Sequence, residues 1–358
     1  MNKEFSIRAP GFLSDNPKSK TCAELSRSIQ KRPRRLKWIV VVAIVVVFAV
    51  CGAVAQAGQA KVYRVGVLLP GEPWYETIDG LRVGLRQLGL EEGKQFILSI
   101  QDWKGDAKMA EEAARKFDQD KVNLIYTTST NSAIAARRAT ADIPIVFCAG
   151  ADPVVLGLVD SFAKPGGRLT GVYERGTDLT AKRLEILKEM VPKLRRVVTF
   201  YDPRNSVAIE SSKLAREAAR QMKIQFVERH VASVEELQAG MRALKAGEVD
   251  AFFQLGDPLT STQAPLIIDT ARAKRLPTMF VNQSLVIKGG LASYSVSRHE
   301  VGRVSAKYVQ RILTGVQPKD LPVEGVDKID LVINLKTAKQ IGVTIPQSVL
   351  YRADKVIK

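Results

Sequence analysis

Side chains that form hydrogen bonds recur where apolar stretches of the sequence end and turns begin. The set combines carboxylates, hydroxyls, amides and aromatic rings: Trp74, Tyr75, Asp102, Thr128, Ser129, Thr130, Asn131, Asp152, Asn205, Ser206, Asp257 and Tyr294. These types suit a polar small molecule that is held by hydrogen bonds beside an aromatic wall. A carboxylate on that molecule would be favoured by the backbone N–H groups of a helix beginning near Asn131. An ammonium group would need Asp152 or Asp257, although for either residue alone a role in a turn is the alternative.

Motifs of known enzyme classes do not occur in the sequence. It contains no GxGxxG after the first apolar stretch, no GxxxxGK[ST], no GxSxG and no HExxH. Cys148 has no histidine near it in the chain, and neither His230 nor His299 has an acid and a nucleophile in a recognisable order. We therefore predict that the protein is not an enzyme and uses no cofactor or metal ion.

Apolar stretches and helical patterns alternate from Val62 to the end of the chain. Val62–Leu69 is almost continuously apolar, as is typical of a parallel strand covered on both faces, and Ile78–Leu88 has the spacing of a helix with one buried face. This alternation predicts an α/β fold of two Rossmann-like lobes with parallel sheets, because there are too many units for one sheet. Ligands bind outside the carboxyl ends of such strands, so the turn Ala149–Pro153 is expected at the lip of a cleft between the lobes.

The N-terminal 57 residues have the pattern of a targeting segment. A basic run, Lys31–Lys37, is followed by the uncharged stretch Ile39–Ala55 and then by small residues up to Ala57. This order indicates a secretory signal peptide cleaved after Ala57. The alternative is an uncleaved membrane anchor formed by residues 39–55, which reaches the lower length limit of a spanning helix. In either case the rest of the chain is predicted to be exported, to the periplasm.

The net charge of +17 is the feature that most suggests a nucleic-acid partner. Beyond the basic N-terminus, however, Lys and Arg are interleaved with acids on predicted helices such as Ser212–Lys223, and no stripe of cations with stacking aromatic residues occurs. We therefore predict no nucleic-acid partner. After cleavage Cys148 alone of the three cysteines would remain, which excludes an intrachain disulfide.

Three segments of the sequence resemble the ABC-transporter substrate-binding proteins of the tryptophan/tyrosine type. They are ADPVVLGLVDSFAKPGGRLTGV (Ala151–Val172), GGLASYSVS (Gly289–Ser297) and DLVINLKTAKQIGVTIPQSVLYRADKVI (Asp330–Ile357). The resemblance implies the type I periplasmic-binding-protein fold, with a ligand cleft between two lobes joined by three crossings. These are expected near Gly176, Lys288 and Glu324, which gives residues 58–176 plus 289–324 to lobe 1 and residues 177–288 plus 325–358 to lobe 2.

The same resemblance implies the solute-binding component of an ABC importer. A small polar molecule would bind in the cleft, with amino acids, aromatic ones first, as the candidates. The positions that match the family's ligand contacts are Thr128 to Asn131, Asp152, Asn205, Ser206, Asp257 and Tyr294. The closed protein, a monomer, would deliver the ligand to a membrane permease with its ATPase. The alternative is a sensory protein that binds a ligand in the same way and signals to a membrane receptor.

Overall fold

The computed structural model describes residues 62–358. The predicted signal peptide, its cleavage site and the alternative anchor lie outside these residues. Among the helices of residues 62–358, none has both the length and the apolar character needed to cross a membrane.

Lobe 1 is an α/β layer structure around a six-stranded sheet. Its elements are β1 (Tyr63–Leu69), α1 (Tyr75–Gln87), β2 (Phe96–Asp102), α2 (Ala107–Gln119), β3 (Leu124–Thr127), α3 (Thr130–Ala139), β4 (Ile145–Ala149), β5 (Leu169–Tyr173), α10 (Arg298–Leu313) and β11 (Glu324–Gly325). The strand order is β11-β5-β4-β3-β1-β2, and all paired strands are parallel. Apolar side chains cover both faces: Val67 packs in the cluster with α1 and α10, whereas its neighbour Leu68 packs in the cluster with α2 and α3.

Lobe 2 is built in the same way around a seven-stranded sheet. Its elements are α4 (Thr180–Met190), β6 (Arg196–Tyr201), α5 (Ser206–Gln221), β7 (Gln225–His230), α6 (Val234–Ala243), β8 (Ala251–Phe253), α7 (Pro258–Thr262), α8 (Ala264–Ala273), β9 (Thr278–Phe280), α9 (Gln283–Ile287), β10 (Ala292–Val296), β12 (Ile329–Asn334), α11 (Leu335–Ile341), α12 (Gln347–Leu350) and β13 (Lys355–Ile357). The order is β13-β12-β10-β9-β8-β6-β7. One pair, β10 with β12, is antiparallel because the chain leaves lobe 2 at the end of β10 and returns at the start of β12, where Val296 pairs with Ile329.

The chain passes between the two sheets after β5, after β10 and after β11. The second of these points differs from the expected crossing near Lys288. The strand Ala292–Val296 pairs with β9 and β12 and so belongs to the sheet of lobe 2 rather than to lobe 1. Gly289 and Gly290, which follow the expected point, form the turn between α9 and β10, where Gly289 has a φ of +118°.

Helices α1 and α10 approach each other closely on the outer face of lobe 1. A Cβ atom added at Gly302 would lie 1.8 Å from the backbone O of Thr77, and one at Gly80 would lie 1.9 Å from the backbone O of His299. Glycine is therefore required on both helices for this contact. It fixes the first turn of α10, which begins at Arg298, relative to the sheet of lobe 1.

Candidate functional site

A narrow cavity of about 60 Å³, here called the inner chamber, lies between the lobes at the carboxyl ends of the strands. Its lobe 1 wall consists of Trp74, Thr128, Ser129, Thr130, Asn131, Gly150, Glu174 and Arg298. Its lobe 2 wall consists of Val207, Gly256, Asp257, Pro258, Ser261 and Val281. Polar residues converge from both sheets, so a molecule in this chamber would contact both lobes at once.

A larger cavity of about 770 Å³, here called the outer mouth, adjoins the inner chamber. The two cavities share Asn131, Asp257 and Pro258, so they are parts of one cleft. On lobe 1 the wall of the outer mouth is mixed: Trp103 and Ile134 are apolar, and Lys104, Asp106 and Arg138 are charged. A ligand that extends beyond the chamber would therefore place its remaining atoms in the outer mouth.

The lobes meet at the edges of this cleft. The Nζ of Lys288, on lobe 2, lies 3.2 Å from Oε2 of Glu72, on lobe 1. Elsewhere along the edge, a Cβ atom added at Gly105 would be 3.8 Å from the backbone N of Leu259. The lobes thus touch along the edges of the cleft, with the inner chamber between them.

Apart from Trp74, which directly precedes α1, the predicted residues of lobe 1 that reach the chamber come from the end of β3 and the start of α3. The Oγ of Ser129 caps α3 by accepting a hydrogen bond of 3.1 Å from the backbone N–H of Ser132. Thr130 accepts hydrogen bonds from the N–H groups after β4, so its hydroxyl holds that turn in place. Thr128 differs, because its Oγ1 is buried and has no hydrogen-bond partner in the described part of the chain. Asn131 lies where the chamber opens into the outer mouth.

The predicted residues of lobe 2 lie at the starts of two helices. Asn205 caps α5 by accepting hydrogen bonds from the N–H groups of Val207 and Ala208, and it lines the outer mouth with Ser206. Asp257 lines both cavities and is 1% exposed. The structure therefore brings Thr128 to Asn131, Asn205, Ser206 and Asp257 together with Trp74 along one cleft.

Four predicted residues line neither cavity. Tyr75 donates a hydrogen bond of 3.2 Å to Oδ2 of Asp102 outside the cleft wall. Asp152 takes the turn role that was its alternative, because its Oδ1 accepts a hydrogen bond of 2.7 Å from the N–H of Val154. The ring of Tyr294 packs against the core of lobe 2.

Asp257 is a buried carboxylate whose oxygens are already bonded. Its Oδ2 accepts from the N–H of Asp202 at 2.8 Å, and its Oδ1 accepts from the N–H of Thr260 at 3.2 Å as the cap of α7. Burial, which disfavours the charged form, raises the pKa of Asp257 to about 6. Its hydrogen bonds make it a part of the cleft wall that orients the backbone of lobe 2.

Glu174 and Arg298 are the charged chamber residues that the sequence-based prediction missed. Each is 8% exposed, and the Nη1 of Arg298 lies 3.8 Å from Oε2 of Glu174. The guanidinium carbon of Arg298 stands 4.5 Å from the centre of the Trp74 ring. Within residues 62–358, Oε1 of Glu174 and Nε of Arg298 are buried without hydrogen-bond partners. Burial raises the pKa of Glu174, and the nearby Arg298 opposes that rise.

The sequence does contain a signal for both residues. Glu174 directly follows β5 and Arg298 directly follows the segment Gly289–Ser297, so each lies just after a family-like segment.

Arg183 links two of the segments at which the chain crosses between the lobes. It is a buried residue of α4. Its Nε donates a hydrogen bond to the backbone O of Tyr294 and its Nη1 donates one to the backbone O of Gly176, both at 2.8 Å. Burial lowers the pKa of Arg183 to about 10, and the positive charge of Arg298 acts in the same direction. Arg183 thereby ties the first crossing to the end of β10, beside the second crossing.

Comparison with known proteins gives a consistent assignment. A family model described as ABC transporter substrate binding protein matches residues 63–357. The tyrosine-binding protein of Clostridioides difficile (strain R20291) is 28% identical over 263 residues, which are 73% of this chain and 74% of that protein. The predicted family resemblance is confirmed by these matches.

Two solved structures are similar to this chain in fold. A domain in complex with L-Trp from Streptococcus pneumoniae is 24% identical and has a TM-score of 0.76, with 83% of this chain and 100% of that chain covered. The ligand-free, open structure of a substrate-binding protein from Clostridium difficile is 27% identical with the same coverage, but its TM-score is 0.58. The predicted two-lobed α/β fold is confirmed by such matches.

Proposed function

The chain belongs to the ABC transporter substrate-binding protein family, and from that premise we propose that it captures an amino acid, aromatic ones first, for import. Membership makes the protein the solute-binding, non-catalytic component of an ABC transporter. The amino-acid ligand, delivery inward and release to the permease are the parts that we propose.

The observation that carries the proposal is the inner chamber itself. Its walls come from both lobes, so a ligand there makes its full set of contacts only when the cleft is closed. Such a ligand shifts the population from the open to the closed state, because it binds the closed state more tightly. The closed protein is then the form that a permease would recognise.

The similarity to a tyrosine-binding protein supports the aromatic amino acids as first candidates. The cleft is compatible with that class, because polar and charged groups line the inner chamber and the outer mouth offers the apolar side chains of Trp103 and Ile134 among its charged residues. We propose that the protein acts as a monomer outside the cytoplasm, with export directed by the segment that ends at Ala57.

A thermal-shift screen tests this proposal. The protein, unfolded and refolded to remove any bound molecule, is heated with each of the twenty amino acids and with a panel of sugars and polyols. We expect a saturable rise in melting temperature with L-tyrosine or L-tryptophan, since a ligand at 100 times its Kd adds about 2.7 kcal/mol to stability. A rise with sugars or polyols and none with any amino acid would contradict the proposed ligand class.

A further inference from the structure

Three buried polar atoms of the inner chamber lack hydrogen-bond partners in the part of the chain that the structure describes. They are Oε1 of Glu174, Nε of Arg298 and Oγ1 of Thr128. Buried polar atoms are almost always bonded in native proteins, because an unpaired one costs much of its lost hydration. Three such atoms around one cavity indicate that the partner is a polar molecule bound there.

The charged pair does not satisfy itself. The 3.8 Å between Nη1 of Arg298 and Oε2 of Glu174 is too long for a hydrogen bond, although it is within reach of electrostatic attraction. The ring of Trp74 supports the guanidinium from one side, which fixes its plane without using its N–H donors. A guanidinium held in this way presents the geometry that binds a carboxylate through two parallel hydrogen bonds.

Two carboxylates line the inner chamber, Glu174 and Asp257. Asp257 is bonded to two backbone N–H groups, whereas Oε1 of Glu174 has no hydrogen-bond partner among the described residues. An acid and a base side by side favour a ligand that carries both charges, since an anion would be repelled by Glu174 and a cation by Arg298.

We propose that Arg298 binds the carboxylate and Glu174 binds the ammonium group of an amino-acid ligand. This inference rests on the proposed function and names the chemistry by which the same cleft selects its ligand. The inner chamber, at about 60 Å³, has room for this head group rather than for an aromatic ring. The side chain of the ligand extends past Asn131 and Asp257 into the outer mouth of about 770 Å³. The inner chamber therefore recognises the head group of the ligand by its charges, and the outer mouth recognises the side chain of the ligand by its shape.

The test pairs two variants with two altered ligands in calorimetric titrations. The proteins are wild type, Arg298→Gln and Glu174→Gln, each from the full chain and refolded free of ligand. The probes are L-tyrosine, tyramine, which lacks the carboxylate, and N-acetyl-L-tyrosine, which lacks the ammonium group; L-tryptophan with tryptamine and N-acetyl-L-tryptophan is the second set.

We expect wild type to bind the amino acid about 10- to 100-fold more tightly than either altered ligand, since a hydrogen bond to a charged group contributes that much. Arg298→Gln should bring the ratio of amino acid to amine close to one. Glu174→Gln should bring the ratio of amino acid to N-acetyl compound close to one. Each variant should leave the other ratio largely in place.

Two variants outside the inner chamber serve as controls. Glu300→Gln and Arg303→Gln remove charges of an ion pair on the outer face of α10 and should change neither ratio. Amino-acid binding with unchanged ratios in both chamber variants would overturn the inference and leave the proposed function standing. Wild type that binds none of the twenty amino acids would overturn both. If a chamber variant does not fold, the wild-type ratios decide: an amine that binds as tightly as the amino acid excludes recognition of the carboxylate.

Discussion

Two buried carboxylates face each other across the inner chamber, and they are equipped differently. Asp257, on lobe 2, is held by two backbone N–H groups. Glu174, on lobe 1, has one oxygen without a hydrogen-bond partner among the described residues and a cation 3.8 Å from the other. Burial raises the pKa of both carboxyl groups, because it disfavours their charged forms. The first carboxylate is used by the fold, and the second is left for a ligand.

The comparison separates stability from recognition within one cleft. A carboxylate that bonds the backbone contributes to folding whether or not a ligand is present. A carboxylate without such bonds contributes little to the empty protein, and its value appears when a ligand with an ammonium group fills the chamber. Three predictions test this separation in the ligand-free protein and at the edge of the cleft.

The largest effect is expected for Asp257→Ala. The change leaves two backbone N–H groups without an acceptor and removes the cap of α7, which should lower the free energy of unfolding by roughly 2 to 4 kcal/mol. Glu174→Gln loses no hydrogen bond of the fold and should lower it by less than about 1 kcal/mol. Chemical denaturation of the two variants beside wild type measures this difference. Equal losses would remove the distinction between the two carboxylates.

The next effect is a dependence of stability on pH that comes from Asp257. Its pKa of about 6 in the folded protein exceeds the ordinary value of 3.8, so the folded state binds more protons between these two values. The contribution is complete below about pH 4, is lost as the pH rises toward 6 and is constant above that, a change of about 2 to 3 kcal/mol. The difference in unfolding free energy between wild type and Asp257→Asn, measured from pH 4 to 7, should follow this curve. A flat difference would show that the carboxyl titrates normally.

The smallest effect is expected at the edge of the cleft. Lys288 and Glu72 pair across the lobes, but their side chains are 46% and 61% exposed. An exposed ion pair contributes about 0 to 1 kcal/mol, so Lys288→Gln should weaken ligand binding by less than about fivefold, and less at high salt. Titration at two salt concentrations checks this. A loss as large as that of the chamber variants would mean that the edge pair, rather than the chamber, holds the cleft closed.

The fold was largely predictable because its signals are local. The apolar stretch predicted as Val62–Leu69 is the strand Tyr63–Leu69, and the alternation of such stretches with amphipathic helices gave the two lobes correctly. The second crossing was placed too early because the family resemblance implied only its approximate position, and the lobe to which β10 belongs depends on the strands with which it pairs.

The site was predictable only in part, because its chemistry depends on distant contacts. Thr128 and Asn131, which line the cleft, were predicted from their position after a strand end and from the family resemblance. The role of Asp257 depends on the N–H of Asp202, which belongs to another strand end. Glu174 and Arg298 meet only because two crossings between the lobes run side by side, which no spacing in the sequence records.

The glycine contact between α1 and α10 has a kinetic consequence. Because Gly302 seats α10 against lobe 1, Arg298 moves with that lobe, and so does Glu174 at the end of β5. Separation of the lobes therefore leaves both charges together on one wall. An arriving ligand would therefore meet both Arg298 and Glu174 before the cleft closes, and its contacts with lobe 2 would form afterwards. Changes in lobe 1 would then govern how fast the molecule is caught, and changes in lobe 2 how long it stays.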